Sequence, residues 1–160
     1  MKNPLITKMV LDAWLSTVKR VSVVAKELTE EQFQQQVAPS QNSGIYLLGH
    51  MTAVNDLMLP LLNLGDPIHP QIKDSFIRTR DKDRQREFTA KELIEYWTEI
   101  NAQLEEKIYA LTDDEWFQKH ASISEEDFAK EPHRNRLNVI INRTNHMSYH
   151  LGQLVFLKNR

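Results

Sequence analysis

The sequence predicts an all-α protein, a four-helix bundle with long crossover connections and short accessory helices. Only four glycines and six prolines occur in 160 residues, too few for the many tight turns of an all-β or doubly wound domain. Four long segments instead repeat apolar residues at helical spacing, and no segment alternates with the period of a strand. The length and the 41% of hydrophobic residues fit one domain over residues 1–160.

The first long helix is predicted over residues 4–28. Asn3 can serve as its N-cap, and Pro4 suits the first helical position because proline has no N–H to donate. Its apolar face is expected to comprise Leu5, Met9, Trp14, Val18, Val21, Val24, Ala25 and Leu28. The capping-box pattern at 29–32 then predicts a short helix that carries Phe33.

The second long helix is predicted to begin after Ser43 and is the most apolar of the four. Its apolar residues continue to Leu62, and residues 65–67 give a stop signal. Pro60 is expected to kink the last turn, since proline removes a backbone hydrogen bond. Periodicity is poor over residues 65–88, which are predicted to form a crossover.

Two further long helices follow the crossover. A capping box at 89–92 starts the third helix, and another at 112–115 predicts a short helical turn. The stretch beyond that turn is irregular as far as Asn135, and the last helix is predicted over 136–158. Its buried face is expected to comprise Leu137, Ile140, Thr144, Met147, Leu151, Leu154 and Val155.

Composition and charge exclude several classes of function. The chain has no cysteine, so disulfides, thiolate metal sites and cysteine nucleophiles are excluded together. The net charge is −2 and the mixed charge run at 78–87 has no interleaved aromatic residues, so nucleic acid binding is not expected. No apolar stretch approaches the roughly 20 residues of a membrane span. The N-terminus has no signal-peptide pattern, and we expect a cytoplasmic protein.

Three histidines on two predicted helices form the candidate site. His146 and His150 lie four residues apart in the last helix, so both imidazoles can reach one metal ion from the same face. His50 lies in the middle of the most apolar helix, where an unbonded polar group would be costly. Taken alone, an i, i+4 histidine pair is more often a surface coincidence or a bonded core pair, and His50 alone fits a core histidine bonded to a carbonyl or hydroxyl. Together they match a three-nitrogen metal site that leaves positions open for water or substrate.

Two of the four glycines lie inside these two helices, beside the histidines. Gly49 precedes His50, and Gly152 follows His150 by two residues. Glycine in a helix interior costs about 1 kcal/mol relative to alanine. A helix or a ligand that approaches closely at these positions would offset that cost.

The two histidine-bearing segments resemble the DinB-like superfamily of metal-binding four-helix bundles. Residues 48–51 are Leu-Gly-His-Met, and residues 145–154 are Asn-His-Met-Ser-Tyr-His-Leu-Gly-Gln-Leu. The resemblance spans the whole chain and places the family's three metal ligands on His50, His146 and His150. It implies a divalent metal, often zinc or nickel, and frequent homodimers. Characterised members include transferases and isomerases that use low-molecular-weight thiols, and many members have no known activity.

The resulting hypothesis is thiol-dependent transferase-type chemistry on a small-molecule substrate at a divalent metal. A metal-dependent hydrolase is the first alternative, but it needs a general base, and no carboxylate lies within one turn of the three histidines on their helices. Asp56 is the nearest one, and its helical angle points it away. A noncatalytic bundle that binds metal or a small molecule is the second alternative.

The remaining candidates are assigned by their distance along the chain from the proposed ligands. Asn142 and Tyr149 are helical neighbours of His146 and His150, and we predict that they bind substrate. Tyr46 has a similar relationship to His50. The other three histidines are predicted to be solvated loop residues outside the metal site, namely His69, His120 and His133.

Overall fold

The computed structural model describes residues 4–85 and 87–159, and they form the predicted all-α architecture. The four long helices are α1 (Pro4–Glu27), α3 (Gly44–Asp56), α5 (Ala90–Tyr109) and α8 (Arg136–Val155). The short helices are α2 (Glu30–Gln34), α4 (Met58–Leu61), α6 (Asp113–Trp116) and α7 (Glu125–Lys130). Within the described residues there are no strands and only two isolated β-bridges. The predicted fold class is therefore confirmed.

The four long helices pack in a ring whose order differs from their order along the chain. Helix α1 packs against α5 and α8, and α3 packs against the same two helices. Helices α1 and α3 therefore occupy opposite corners, as do α5 and α8. The connections from α1 to α3 and from α5 to α8 therefore join opposite corners of the ring.

Side-chain caps begin the helices at the positions that the sequence predicts. Thr89 and Glu92 exchange both hydrogen bonds of a capping box at the start of α5. The Ser43 hydroxyl accepts the N–H of Tyr46 at the start of α3. Asn135 caps α8 in the same way. The two helices that carry the candidate ligands are therefore fixed at their first turns.

The second long helix is broken, where the sequence predicts only a kink. Helix α3 ends at Asp56, and Leu57 separates it from α4. Pro60 has no N–H to donate to the Asp56 carbonyl, so one bond of the helical series is missing at this point. The Asp56 side chain is buried, and its two oxygens accept the N–H groups of Ile68 and His69 at 2.7 and 3.0 Å. Asp56 thus anchors the start of the crossover.

The apolar faces of α1 and α8 are narrower than predicted. Leu5 and Met9 are 65% and 63% exposed, and Val155 is 43% exposed, so placing them in the core was wrong. The buried face of α1 includes Thr7 and Leu11. Leu5 and Met9 lie two residues from these positions, about 200° around the helix, and therefore face outward.

The irregular regions contain more helix than predicted. Helix α7 was not expected, because it buries no residue and so has no apolar periodicity. The crossover includes a π-helical turn at Asp74–Arg78 and a 3-10 turn at Asp81–Asp83. Helix α8 ends earlier than predicted, and a 3-10 turn at Phe156–Asn159 follows it. The predicted N-cap of α1, Asn3, lies outside the described residues.

All four long helices contribute to one core. The three tryptophans are each at most 1% exposed, and they are Trp14, Trp97 and Trp116. The indole N–H of Trp97 on α5 donates to the Ser22 hydroxyl on α1 at 2.9 Å, which satisfies this buried donor. No helix in the described part of the chain is both long and apolar enough to cross a membrane.

Candidate metal centre

Helices α3 and α8 bring three imidazoles together between them. His146 Nε2 lies 3.1 Å from His50 Nε2 and 3.0 Å from His150 Nε2. One ring nitrogen from each of the three lies within 4.8 Å of the other two. The structure therefore brings together the same three histidines that the sequence analysis selects.

A polar contact between the helices holds α3 and α8 in register near the site. Asn55, five residues after His50, donates to the Asn101 side chain on α5 at 2.8 Å. The same Asn55 amide lies 3.5 Å from the sulfur of Met147, which is next to His146 on α8. Asn55 thus contacts both neighbouring helices and limits their sliding relative to His50.

Two of the imidazoles are oriented by acceptors behind them. His50 Nδ1 donates to the Phe76 carbonyl at 2.8 Å, and His150 Nδ1 lies 2.8 Å from Gln153 Oε1. A carbonyl oxygen only accepts, so His50 has its proton on Nδ1 and presents the lone pair of Nε2. The same assignment holds for His150 when the amide oxygen faces it. Histidines that bind metal are commonly oriented in this way.

His146 completes a cluster that hydrogen bonds alone do not satisfy. Its Nε2 faces the lone pairs of both His50 and His150, but it can have only one proton to share. Its Nδ1 is buried and has no partner among residues 4–85 and 87–159. A cation where the three Nε2 atoms meet would remove the competition for this proton. Two nitrogens that bind one ion at about 2.1 Å lie about 3.0 Å apart at right angles and about 3.4 Å apart at the tetrahedral angle. The observed separations are 3.0 and 3.1 Å.

Burial keeps two of the imidazoles in the neutral form that metal binding requires. The pKa of His146 is lowered to about 4, mainly by burial and further by His150, His50 and the Arg143 charge. Burial also lowers the pKa of His150, against its hydrogen bond to the Gln153 side-chain oxygen, which raises it. Both side chains are therefore neutral at pH 7, with their Nε2 lone pairs available to an ion.

Comparison with known proteins agrees with this geometry. The family model described as the DinB superfamily matches residues 13–154, a range that includes all three histidines. The chain belongs to the DinB superfamily. A crystal structure of a conserved protein from Enterococcus faecalis is similar over 96% of this chain and 95% of that chain, with a TM-score of 0.66 and 16% identity. At that identity the likeness shows the fold alone. No curated protein matches the chain.

The crossover of this DinB bundle forms one wall of the site. Phe76 lies in the π-helical turn, and its ring occupies the space that a Cβ on Gly49 would need. The Tyr46 ring stacks on His50 with centroids 6.1 Å apart, and its hydroxyl donates to the Thr79 carbonyl at 3.0 Å. Gly49 is therefore explained by close approach of the crossover to α3.

The second glycine beside the DinB histidines has a different environment. Gly152 is exposed, and a Cβ built on it would meet nothing within 4 Å. Close approach of a helix therefore does not account for it, and nothing else in the structure explains it.

The two predicted substrate-binding residues lie at the surface beside the site. Tyr149 is 65% exposed, and its ring centroid lies 5.1 Å from that of His150. Asn142 is exposed one turn before His146. The role of both residues in substrate binding stays a prediction.

The remaining three histidines stay outside the cluster. His69 is not the solvated loop residue that the sequence analysis expects, because its side chain is only 15% exposed. Its Nε2 lies 2.8 Å from a Glu99 oxygen, and its ring stacks on Tyr96 with centroids 3.9 Å apart. His120 is partly buried and His133 is exposed.

Sequence reasoning missed three residues that shape the DinB site. Gln153 and Arg143 each lie three residues from a candidate ligand on α8, and that spacing was an available signal. Phe76 acts through its backbone carbonyl and through the position of its ring. A backbone carbonyl is common to every residue type, so the sequence has no signal for that contact.

Proposed function

We propose that this DinB-superfamily chain binds one divalent metal ion through His50, His146 and His150 and uses it for thiol-dependent transfer on a small molecule. The observation that supports this most strongly is the convergence of three Nε2 atoms. Phe76 and Gln153 accept on the opposite side of two of the rings. Zinc and nickel are the leading ions, because both suit imidazole ligands.

A divalent ion bound by three neutral imidazoles would favour the thiolate over the thiol of a cosubstrate near neutral pH. The residues of the chain supply access and orientation. His50, His146 and His150 are each partly exposed, so a small thiol can approach from solvent. The acceptors behind His50 and His150 hold their rings in place during that approach. A low-molecular-weight thiol is therefore part of the proposal.

The surroundings of the site favour transfer over hydrolysis. A hydrolase needs a general base beside the attacking water. Asp56 is engaged with two backbone N–H groups, and in the described part of the chain no carboxylate contributes to the pKa shifts of His146 or His150. Burial raises the pKa of Tyr46, so this phenol stays protonated and is a poor base. A thiol needs no such base once its proton has left to solvent.

Metal analysis of the purified protein tests the first part of the proposal. We expect about one zinc or nickel per chain, and loss of the ion in His50→Ala, His146→Ala and His150→Ala. Stoichiometric metal in the triple variant would contradict the site. A panel of thiols and electrophiles on the metal-loaded protein tests the second part. Turnover without thiol would favour the hydrolase, and no turnover in either assay would favour a noncatalytic binding bundle.

We also propose that the protein forms a homodimer through the outer surface shared by α1 and α8. These helices pack against each other, and exposed apolar side chains lie on their outward faces and in the turn after α8, including Leu5, Met9, Ile141, Val155 and Phe156. Large exposed apolar groups on one surface are typical of an interaction site.

The charges on the same surface fit a second copy of the chain. A groove of about 650 Å³ between α1 and α8 is lined by apolar groups together with Asp12, Lys19 and Arg20. A two-fold axis brings the same patch from both copies together, so a patch with both signs of charge can pair with itself. This mixed character supports self-association through α1 and α8.

A further inference from the structure

Arg143 on α8 is a partly buried cation for which the described chain provides no partner. Its Nε is buried and has no hydrogen-bond acceptor among residues 4–85 and 87–159. No carboxylate in those ranges offsets its charge, and burial alone lowers the pKa of its guanidinium. A buried charge without a partner is unfavourable. The side chain therefore has an unused capacity to bind an anion.

Other arginines of the chain show the usual arrangement. Exposed arginines on short helices and turns each pair with a nearby carboxylate, in the pairs Arg78 with Asp74, Arg80 with Asp83, and Arg134 with Glu131. Arg143 is more buried than Arg78 and Arg80 and yet lacks such a pair. Arg136 shares the unpaired Nε, so the place of Arg143 beside the candidate ligands is what distinguishes it.

The position of Arg143 relates it directly to the candidate metal centre. It lies three residues before His146 and seven before His150, so the three side chains project from one face of α8. Three residues correspond to about 4.5 Å along the helix axis.

We propose that Arg143 binds a carboxylate or phosphate group of the small molecule on which the metal centre acts. The inference rests on the proposed metal site. A guanidinium presents parallel N–H groups that match two oxygens of such an anion. A molecule held by Arg143 at one end and by the metal centre at the other would have its reacting atom fixed in position. The substrate class is accordingly a small anionic molecule.

Calorimetric titration of the zinc-loaded protein with malonate and, separately, with inorganic phosphate tests the inference. Arg143→Gln should weaken the binding of at least one probe by about tenfold or more, as expected for a charge-assisted bidentate contact. The probe that is weakened identifies the preferred anion. Arg143→Lys keeps the positive charge but loses the parallel N–H groups of the guanidinium. Its affinity for the probes should therefore lie between the affinities of the wild type and of Arg143→Gln.

Arg136→Gln is the matched control. Its Nε is also buried without a partner in the described chain, but Arg136 lies ten residues from His146, about 15 Å along the same helix. It should bind both probes like the wild type. Zinc content is measured before and after each titration. If the wild-type protein binds no zinc, the proposed metal site is wrong. If Arg143→Gln binds full zinc and both probes with unchanged affinity, the proposed role of Arg143 is wrong.

Arg143 is partly buried, so its replacement by glutamine could unfold the chain. Circular dichroism of each variant identifies that outcome. In that case Arg143→Lys decides the question, because it preserves bulk and charge. Binding of malonate and phosphate by Arg143→Lys at the wild-type level would overturn the inference, and a severalfold loss of either would support it.

Discussion

His50 Nε2 and His146 Nε2 lie 3.1 Å apart, although the two residues are 96 positions apart in the chain. The Nδ1 proton of His50 is engaged by the Phe76 carbonyl, so its Nε2 can only accept. In the metal-free protein His146 must therefore donate, and it then has no proton left for His150. His50 and His150 therefore compete for one proton. The relative position of α3 and α8 depends on the atom or ion that lies between the rings.

The first prediction concerns stability. A divalent ion at the candidate site would link α3 to α8. The site exists only in the native state, so the ion should stabilise the fold. Zinc at about 100 times its dissociation constant should raise the free energy of unfolding by about 2.7 kcal/mol. Urea unfolding with zinc and with a chelator measures the difference. His146→Ala should abolish it, and the exposed His133→Ala should retain it. An equal zinc effect in both variants would exclude the site.

The second prediction uses the two helical glycines as a matched pair. Gly49→Ala should destabilise the protein by about 1–3 kcal/mol, because the new methyl group displaces the Phe76 ring. It should also weaken zinc binding, since the Phe76 carbonyl orients His50. Gly152→Ala meets nothing within 4 Å and should stabilise the helix by up to about 1 kcal/mol. Thermal unfolding and zinc titration of both variants check this, and similar effects of the two would contradict it.

The third prediction separates structure from catalysis at Asp56. Asp56→Ala leaves two partly buried N–H groups without their carboxylate acceptor, which should cost at most about 1–3 kcal/mol for each group. Zinc stoichiometry should stay at the wild-type value, because the crossover anchor is distinct from the three imidazoles. Chemical denaturation and metal analysis measure these two properties. A stable variant that loses activity would indicate instead that Asp56 is the missing base.

Local signals explain why much of the fold was predictable. Thr89 and Ser43 indicate helix starts, because a capping side chain bonds to a backbone N–H of the first turn. Both residues cap their helices as predicted. The histidine cluster was predictable because His146 and His150 share a helix face and His50 is a polar residue in an apolar helix. Such signals depend on spacing within one helix, which the sequence contains directly.

The errors arise where packing between distant segments decides the outcome. Met9 belongs to an apolar pattern that lies on a different face of α1 from the buried pattern. Which of these two faces is buried depends on the helices that pack against α1. His69 became buried because Tyr96 and Glu99 of α5 lie beside the crossover. The contact from the Phe76 carbonyl to His50 depends on the path of a π-helical turn. None of these is encoded in the spacing along one helix.

The fourth prediction concerns assembly. Met9→Glu should shift a dimer to monomer, because it places a charge in the exposed apolar surface of α1. Sedimentation at micromolar concentration measures the change. Thr98→Glu, which adds the same charge on an exposed position of α5, should leave the dimer intact. A wild-type protein that sediments only as a monomer would contradict the homodimer and leave the metal site unaffected.

The fifth prediction concerns pH and the metal-free protein. The pKa of His146 is about 4 in the native state, mainly because of burial, against 6.5 in an accessible histidine. Between pH 6.5 and 4 the unfolded chain takes up a proton that the native state refuses, so the free energy of unfolding should fall as pH decreases through this range. Below about pH 4 both states are protonated at this residue, and its contribution should become constant. Urea unfolding of metal-free protein at several pH values measures the slope, which should be smaller in His146→Asn. An identical slope in the variant would show that other groups cause the effect.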